Sequence, residues 1–372
     1  MAPSVPPPVP SLEMPGGRHI AGGRGIVIAM SRQTTDPRTI HGVTLGDGVT
    51  DADAAVHRFD GGPSDGVVTV TLTAGDCRAT LCPTRGLGVL DFSRDATTLG
   101  WDSPSGPGPV PPWRVDLASR GGLGWLDGFT ELVVRCGLSF NGPPGHDAGG
   151  PPLEQDITLH GRIANRPAAA VRVDRNGESV TCTGSVREAV LFGVGLELRT
   201  AITLHPGGRL IIEDTVHNIV ARPQEMQLLY HINIDPRRLG DDTELTPPPG
   251  AMQPRDETAA AGIDRWTAID PPTDGYAEQV FFVTPPDDGE EATTRLHSPS
   301  TGRGVEVTQS LGTLPSLSIW KCFQFAADGY VLGIEPGTGF PNFKADERAA
   351  GRVVVLQPGE SRTHRVQLAI GD

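Results

Sequence analysis

The chain has 372 residues, of which 37% are hydrophobic and 20% charged, a balance that allows a buried core and speaks against wholesale disorder. Its formal charge is −14, and basic residues form no run longer than Arg237-Arg238, so a nucleic-acid partner is not expected. No stretch approaches the roughly 18 apolar residues of a membrane span, so a membrane is not an expected partner either.

The amino-terminal residues and the cysteines bear on where the protein works. Residues 1 to about 17 are rich in proline and poor in core-forming residues, so we expect a flexible tail there and a single domain over 18–372. The first residues lack the basic and apolar regions of a signal peptide. The five cysteines are scattered without a C-x-x-C pair and are expected to be reduced. These features predict a cytoplasmic protein, and they leave the oligomeric state open.

Short apolar runs separated by turns follow one another from about residue 20 to the carboxyl terminus. The 48 Gly and 35 Pro recur between these runs, which is typical of many strands joined by turns. The apolar pattern predicts strands at 25–30, 67–72, 78–82, 132–138, 156–160, 169–173, 179–186, 189–204, 209–218, 225–234, 280–283, 304–309, 316–322, 330–334, 352–356 and 363–370.

Helices are rare in this pattern, with one short turn predicted at 51–56 and another at 345–350. The stretch 240–275 is rich in Pro and Asp, and we interpret it as a long excursion from the sheets rather than a domain boundary. Roughly twenty strands in one body predict an all-β fold of two large stacked antiparallel sheets.

His231 and Asn233 lie at the end of a strongly apolar predicted strand. Side chains two residues apart share one face of a strand, so two polar groups project together where a core strand would carry Val or Leu. A lone histidine in such a strand can be a core residue bonded to a backbone carbonyl. A polar pair close to a strand end is instead typical of a ligand site, and both residues are therefore candidates.

Glu335 lies where another apolar strand meets a Pro-Gly turn. A carboxylate at the mouth of an apolar strand loses solvation, which raises its pKa towards the range of a general base at neutral pH. The alternative is a surface glutamate that opens a turn. Asn342, with Thr338 and Lys344 beside it in the following loop, is a candidate donor to a substrate.

A third polar group consists of His160 and Arg162. Their spacing predicts one shared strand face, and Gly161 between them permits the close approach of backbone or ligand. Arginine offers a rigid fork of donors for vicinal hydroxyls or a carboxylate. The alternative is an arginine at a sheet edge that bonds backbone carbonyls.

Aromatic residues complete the set of candidates. Trp125, Phe129 and Trp320 have flat faces that can stack on a sugar ring, although most such residues are core. Lys321 is a further candidate contact to a substrate. No cofactor or metal is expected, because the glycines at 121–124 lack the strand–turn–helix context of a nucleotide loop and no histidine spacing suits a metal.

Taken together, these segments resemble the galactose mutarotase-like superfamily and, within it, the aldose 1-epimerase-related bacterial family DUF4432. The resemblance covers most of the chain from about residue 80 onwards. It rests on PTRGLG at 83–88, RCGL at 135–138, LHGRI at 159–163, YHIN at 230–233, GIEPGT at 333–338 and the block from GRV at 351–353 to PGE at 358–360.

The resemblance implies a β-supersandwich with a sugar site on the concave face of one sheet. It gives His231 the role of general acid, Glu335 that of general base and His160 that of a substrate-binding histidine. Arg162 lies near the position of a hydroxyl-binding arginine, and Arg85, from the first motif, joins the candidate substrate-binding residues. The aspartate with which mutarotases hold sugar hydroxyls has no clear counterpart here; Asp274 and Glu278 are the candidates.

These implications make the chain a cofactor-independent isomerase that opens and closes the ring of a small-molecule carbohydrate. Glu335 would take the proton of the C1 hydroxyl while His231 protonates the ring oxygen. Two alternatives remain open. The protein could bind a carbohydrate without turnover, or it could catalyse another epimerisation, isomerisation or elimination on a sugar, with Tyr230 or His160 as an extra proton carrier.

Overall fold

The computed structural model describes residues 38–286 and 289–371, and 46% of them lie in strands. The strands are, in chain order, β1 (Thr39–Ile40), β2 (Val43–Leu45), β3 (Ala54–Arg58), β4 (Val68–Ala74), β5 (Cys77–Cys82), β6 (Gly88–Arg94), β7 (Thr97–Leu99), β8 (Val133–Leu138), β9 (Gly145–His146), β10 (Asp156–Ile157), β11 (Ala169–Asn176), β12 (Ser179–Ala189), β13 (Gly195–His205), β14 (Arg209–Asn218), β15 (Gln224–Ile234), β16 (Glu244–Thr246), β17 (Ala251–Pro254), β18 (Gln279–Thr284), β19 (Glu291–His297), β20 (Gly304–Ser310), β21 (Ser316–Phe323), β22 (Tyr330–Gly337), β23 (Val354–Leu356) and β24 (Ser361–Gly371). Three short α-helices interrupt them, namely α1 (Ser119–Gly122), α2 (Glu257–Ala261) and α3 (Lys344–Ala349).

Two large sheets contain nearly all of these strands. The first has ten strands in the order β1-β2-β11-β12-β13-β14-β24-β20-β19-β16. The second has twelve, in the order β17-β18-β21-β22-β15-β8-β6-β5-β4-β3 with β7 and β23 paired beside β6 and β15. Paired strands are antiparallel with one exception, β2 against β11. The predicted all-β fold of two large antiparallel sheets is confirmed.

The main core lies between the two sheets, and alternation along β15 explains how. Leu228, Tyr230 and Ile232 belong to the apolar cluster that also contains Leu198 and Ile202 of the first sheet. Their neighbours in sequence point to the opposite face of the twelve-stranded sheet, because successive side chains of a strand alternate. We call this opposite face the outer face. It carries a second, smaller apolar cluster.

Several predicted elements differ from the observed ones. The helical turn predicted at 51–56 is wrong, because 54–58 forms β3, and pairing with β4 outweighs the local preference of an Ala- and Asp-rich segment. The strand predicted at 156–160 ends at Ile157, and the run 189–204 contains a turn before β13. The helix predicted at 345–350 is confirmed by α3. The tail predicted at 1–17 and the strand at 25–30 lie outside the described residues.

Candidate active site

Three adjacent central strands of the twelve-stranded sheet bring the candidate acid and base together. β15 lies beside β22, with Ile232 opposite Ile334, and β22 lies beside β21, with Ser318 opposite Glu335. Because Ile232 and Ile334 face the main core, their neighbours His231 and Glu335 face outwards.

A cavity of about 710 Å³ opens on this outer face. Aromatic side chains form much of its wall, and polar side chains are gathered mainly at its base and on one flank. The aromatic residues are Trp101, Trp125, Phe129, Trp320 and Phe343, and the polar ones include His160, His231, Arg255, Glu278, Glu335 and Asn342. An apolar cavity with a few convergent polar groups is the usual form of a small-molecule site.

His231 and Glu335 are in direct contact at the base of this cavity. His231 Nε2 lies 3.3 Å from Glu335 Oε1, and both side chains are buried. Burial lowers the pKa of His231 well below its ordinary value, with a further contribution from His160, whereas an interaction with Asn233 opposes the change. Burial, reinforced by the negative charge of Glu278, raises the pKa of Glu335 to about 8. At neutral pH the two groups therefore hold one proton between them.

His160 reaches the same cavity from a turn rather than from a strand. Its backbone φ is +55°, and its amide N–H donates to the carbonyl of Gly142. Gly161 follows with φ +77°, and an added Cβ would lie 2.2 Å from the carbonyl oxygen of Gly137, so the turn needs a glycine here. The His160 ring is centred 5.6 Å from the His231 ring, and burial lowers its pKa to about 4. A neutral imidazole thus faces the pair.

A polar group on one flank of the cavity is centred on Glu278. Its Oε2 accepts a hydrogen bond of 2.8 Å from Trp320 Nε1, and its Oε1 accepts one of 3.0 Å from Arg255. Trp320 is thereby held with its ring centred 5.2 Å from that of His231. Of the two candidates for a hydroxyl-holding carboxylate, Glu278 lines the cavity and Asp274 does not.

Two predicted substrate-binding residues do not line the cavity, namely Arg162 and Lys321. Arg162 donates to Glu154 and Glu188, because the turn at His160 removes the strand alternation that would have placed both side chains on one face. Lys321 is the neighbour of Trp320 in β21, so it faces the main core, where Nζ donates to the carbonyl of Arg265.

Arg85 and Asn233 also lie away from the cavity lining. Arg85 is buried and donates to Glu131 and to Asn165. Asn233 shares the face of His231, as expected, but its side chain is fully buried and its amide donates to the carbonyls of Glu131 and His231. Asn342 lines the cavity, with its Nδ2 donating to Glu347.

Sequence reasoning missed Arg255 and the wall formed by Trp101 and Phe343. Arg255 follows the short edge strand β17 inside the segment interpreted as an excursion, and no local pattern marks it. Phe343 precedes α3 and follows Asn342 directly in sequence. Its position next to this predicted substrate contact is the one feature of the sequence that could have indicated a role in the cavity.

Among the described residues, no group of three or more His, Cys, Asp or Glu side chains is arranged to hold a metal ion. None of the helices in this part of the chain is long and apolar enough to cross a membrane. The five cysteines are free, and four of them are buried.

Solved structures share this architecture. A "putative aldose 1-epimerase" from Klebsiella pneumoniae is 31% identical over 87% of this chain and 84% of its own, with a TM-score of 0.80. A galactose mutarotase-like protein from Clostridium acetobutylicum (14% identity, TM-score 0.60, 86% of this chain and 98% of its own) and a galactose 1-epimerase from Lactobacillus acidophilus (13%, 0.53, 86% and 99%) share the fold. No curated protein matches the chain.

The two-sheet architecture is that of the galactose mutarotase-like fold. The model of the family described as a domain of unknown function, DUF4432, matches residues 64–370, and the chain belongs to this family. The resemblance inferred from the sequence motifs is thus confirmed.

Proposed function

We propose that the protein is an aldose 1-epimerase-like enzyme that interconverts the anomers of a sugar or sugar derivative. The observation that carries the proposal is the contact of 3.3 Å between His231 Nε2 and Glu335 Oε1 at the base of an aromatic-walled cavity. The C1 hydroxyl and the ring oxygen of a pyranose are bonded to the same carbon. An acid and a base that lie side by side can therefore serve both at once.

The number of protons that His231 and Glu335 hold together suits this reaction. Glu335 as carboxylate would accept the proton of the C1 hydroxyl, and His231 as imidazolium would donate one to the ring oxygen, which opens the ring. This step leaves Glu335 protonated and His231 neutral, the distribution that burial favours. Rotation about C1–C2 and ring closure on the other face reverse both transfers. Each positioned acid or base typically contributes about 10²–10⁴-fold to the rate.

The surroundings of the pair support a sugar as substrate. Phe129 and Trp320 lie within 4.9 and 5.2 Å of the His231 ring, centre to centre, and can contact the apolar face of a pyranose. Glu278 offers carboxylate oxygens at the flank, where hydroxyl groups of a bound sugar can donate to them.

The test is anomer exchange measured by NMR on a panel of free sugars, with the spontaneous rate in the same buffer subtracted. His231→Ala and Glu335→Gln should each lower the enzymatic rate by at least a hundredfold, because each removes one of the two proton carriers. Arg162→Gln is the matched control, since Arg162 lies outside the cavity lining, and it should retain the parent rate. Equal rates in the parent and both site variants would refute the proposal.

A further inference from the structure

The mouth of the cavity is apolar and exposed. Leu123, Leu126 and Phe343 line it, and their side chains are 37%, 43% and 53% exposed. Leaving large apolar side chains in water around a cavity costs free energy unless something covers them, and such patches commonly mark binding surfaces. This patch is continuous with the cavity that contains His231 and Glu335, so the molecule that enters the cavity is its natural occupant.

Three polar side chains near the mouth already use their donors within the protein. Ser103 Oγ donates to the carbonyl of Phe129, and Ser105 Oγ donates to the carbonyl of Leu126. The amide of Asn342 donates to Glu347. A ligand oxygen that needs a hydrogen-bond donor would therefore lose water here without gaining a donor from these three side chains, which is unfavourable.

The cavity is also larger than a monosaccharide. Its 710 Å³ would hold roughly two dozen water-sized volumes of about 30 Å³ each, and a hexose has about half as many non-hydrogen atoms. A sugar ring in contact with His231 and Glu335 would leave part of the cavity, which Leu126 and Phe343 also line, unfilled.

The charged residues that line the cavity disfavour an anionic substituent on the ligand. Among the described residues that line the cavity, Arg255 is the one Arg or Lys, and its guanidinium already donates to Asp256 and Glu278. Glu278 and Asp328 add negative charge to the lining. A phosphate, sulfonate or carboxylate would meet like charges and no unengaged cation.

We infer that the ligand is a neutral sugar that carries an apolar substituent away from its anomeric carbon. The inference rests on the proposed function, in that the anomeric end faces His231 and Glu335. The substituent lies between the apolar residues of the mouth.

Binding of a substituted series tests this inference without requiring turnover. Dissociation constants of D-glucose and D-galactose, their 6-O-methyl, 6-O-butyl and 6-O-hexyl ethers and their 6-phosphates are measured by tryptophan fluorescence. We expect affinity to rise by about fourfold per methylene group that enters the mouth, and the 6-phosphates to bind no more tightly than the parent sugars. A series without any gain in affinity, or tighter binding of a 6-phosphate, overturns the inference.

Variants at the mouth separate a specific contact from nonspecific adhesion. Leu126→Ser and Phe343→Ser should flatten the gain along the alkyl series, measured in each variant as the affinity for every ether relative to that for its parent sugar. Leu191→Ser is the matched control, because Leu191 is 75% exposed and does not line the cavity. An unchanged gain in both mouth variants also overturns the inference. A rise in affinity along the alkyl series without anomer exchange supports the inference and refutes only the proposed function. Anomer exchange without such a rise supports the proposed function and refutes the inference.

Discussion

His231 and Glu335 share one proton because the same burial acts on them in opposite directions. Removal from water disfavours the charged form of each, so the pKa of the imidazole falls and that of the carboxyl rises. Nε2 of His231 lies 3.3 Å from Oε1 of Glu335, so the proton can be shared between them, and burial favours the neutral pair with the proton on Glu335 over the ion pair. The titration therefore belongs to the pair rather than to one residue.

This shared proton predicts a pH dependence of anomer exchange. As pH rises through about 8, the pair loses its last proton, no acid remains for the ring oxygen, and kcat/KM should fall about tenfold per pH unit. On the acid side, the pair gains a second proton only well below 6.5, so the rate should persist at pH 6. Rates by NMR between pH 5 and 9.5, corrected for the buffer, check this.

If the rate instead began to fall as the pH rises above about 6.5, the prediction would be contradicted, because His231 would then titrate as an ordinary histidine. His160 provides the internal comparison. Its pKa is lowered to about 4, so His160→Gln should leave the alkaline limb where it is, whatever it does to substrate affinity.

At the scale of the strand, alternation determines which candidates can reach a substrate. Tyr230 and His231 are neighbours in β15, and Trp320 and Lys321 are neighbours in β21, so only one member of each pair faces the cavity. Once the side of the sheet that one residue of a strand faces is known, the sequence gives the side that every other residue of that strand faces. By this rule Tyr230 faces the core and is not an extra proton carrier.

Other parts of the site could not be read from local sequence. The central strands of the twelve-stranded sheet and the approach of β15 to β22 could be predicted, from apolar patterning and from motifs typical of the family. The turn that separates His160 from Arg162 depends on backbone contacts with Gly137 and Gly142, which lie far from it in sequence. Arg255 reaches the cavity only because β17 pairs with β18, and pairing of short edge strands leaves little sequence signal.

Tyr230→Phe tests the assignment of faces. The Tyr230 hydroxyl donates to Asp214 Oδ2 at 2.8 Å, and Arg135 donates to the same carboxylate, so this buried group joins the two sheets. Loss of a hydrogen bond to a buried charge should lower the free energy of unfolding by about 1.5–3 kcal/mol, with the exchange rate unchanged. Urea unfolding and NMR exchange measure the two effects.

The matched control for this variant is Tyr276→Phe, which removes a buried hydroxyl that has no hydrogen-bond partner and should change stability little. A large loss of exchange in Tyr230→Phe without a loss of stability would instead identify Tyr230 as a proton carrier.

At the scale of the whole molecule, buried histidines are distributed over both sheets. His231 is buried and His160 is half-buried on the twelve-stranded side, and His364 is fully buried in β24 of the other sheet. Burial lowers the pKa of all three, to about 4 for His160 and His364. The unfolded chain, in which histidines titrate near 6.5, therefore binds more protons than the native state below that pH.

The consequence is a native state that loses stability on acidification. Below pH 6.5 the three histidines favour the unfolded chain progressively, whereas Glu335, with its raised pKa, opposes them with one proton down to its ordinary value near 4.5. The net sign is a loss, because three groups outnumber one. The urea midpoint should fall between pH 7 and pH 5.

His364→Leu isolates one of these groups away from the cavity. The variant lacks one of the groups that take up a proton on unfolding. The loss of unfolding free energy below pH 6.5 should therefore shrink by about 1 kcal/mol per pH unit. Because His364 lies in the opposite sheet from the site, anomer exchange at pH 7 should stay at the parent rate. The exposed His297→Leu is the matched control and should leave the pH dependence of the urea midpoint unchanged. An identical acid dependence in the parent and His364→Leu would mean that this imidazole has the same pKa in the native and unfolded chains.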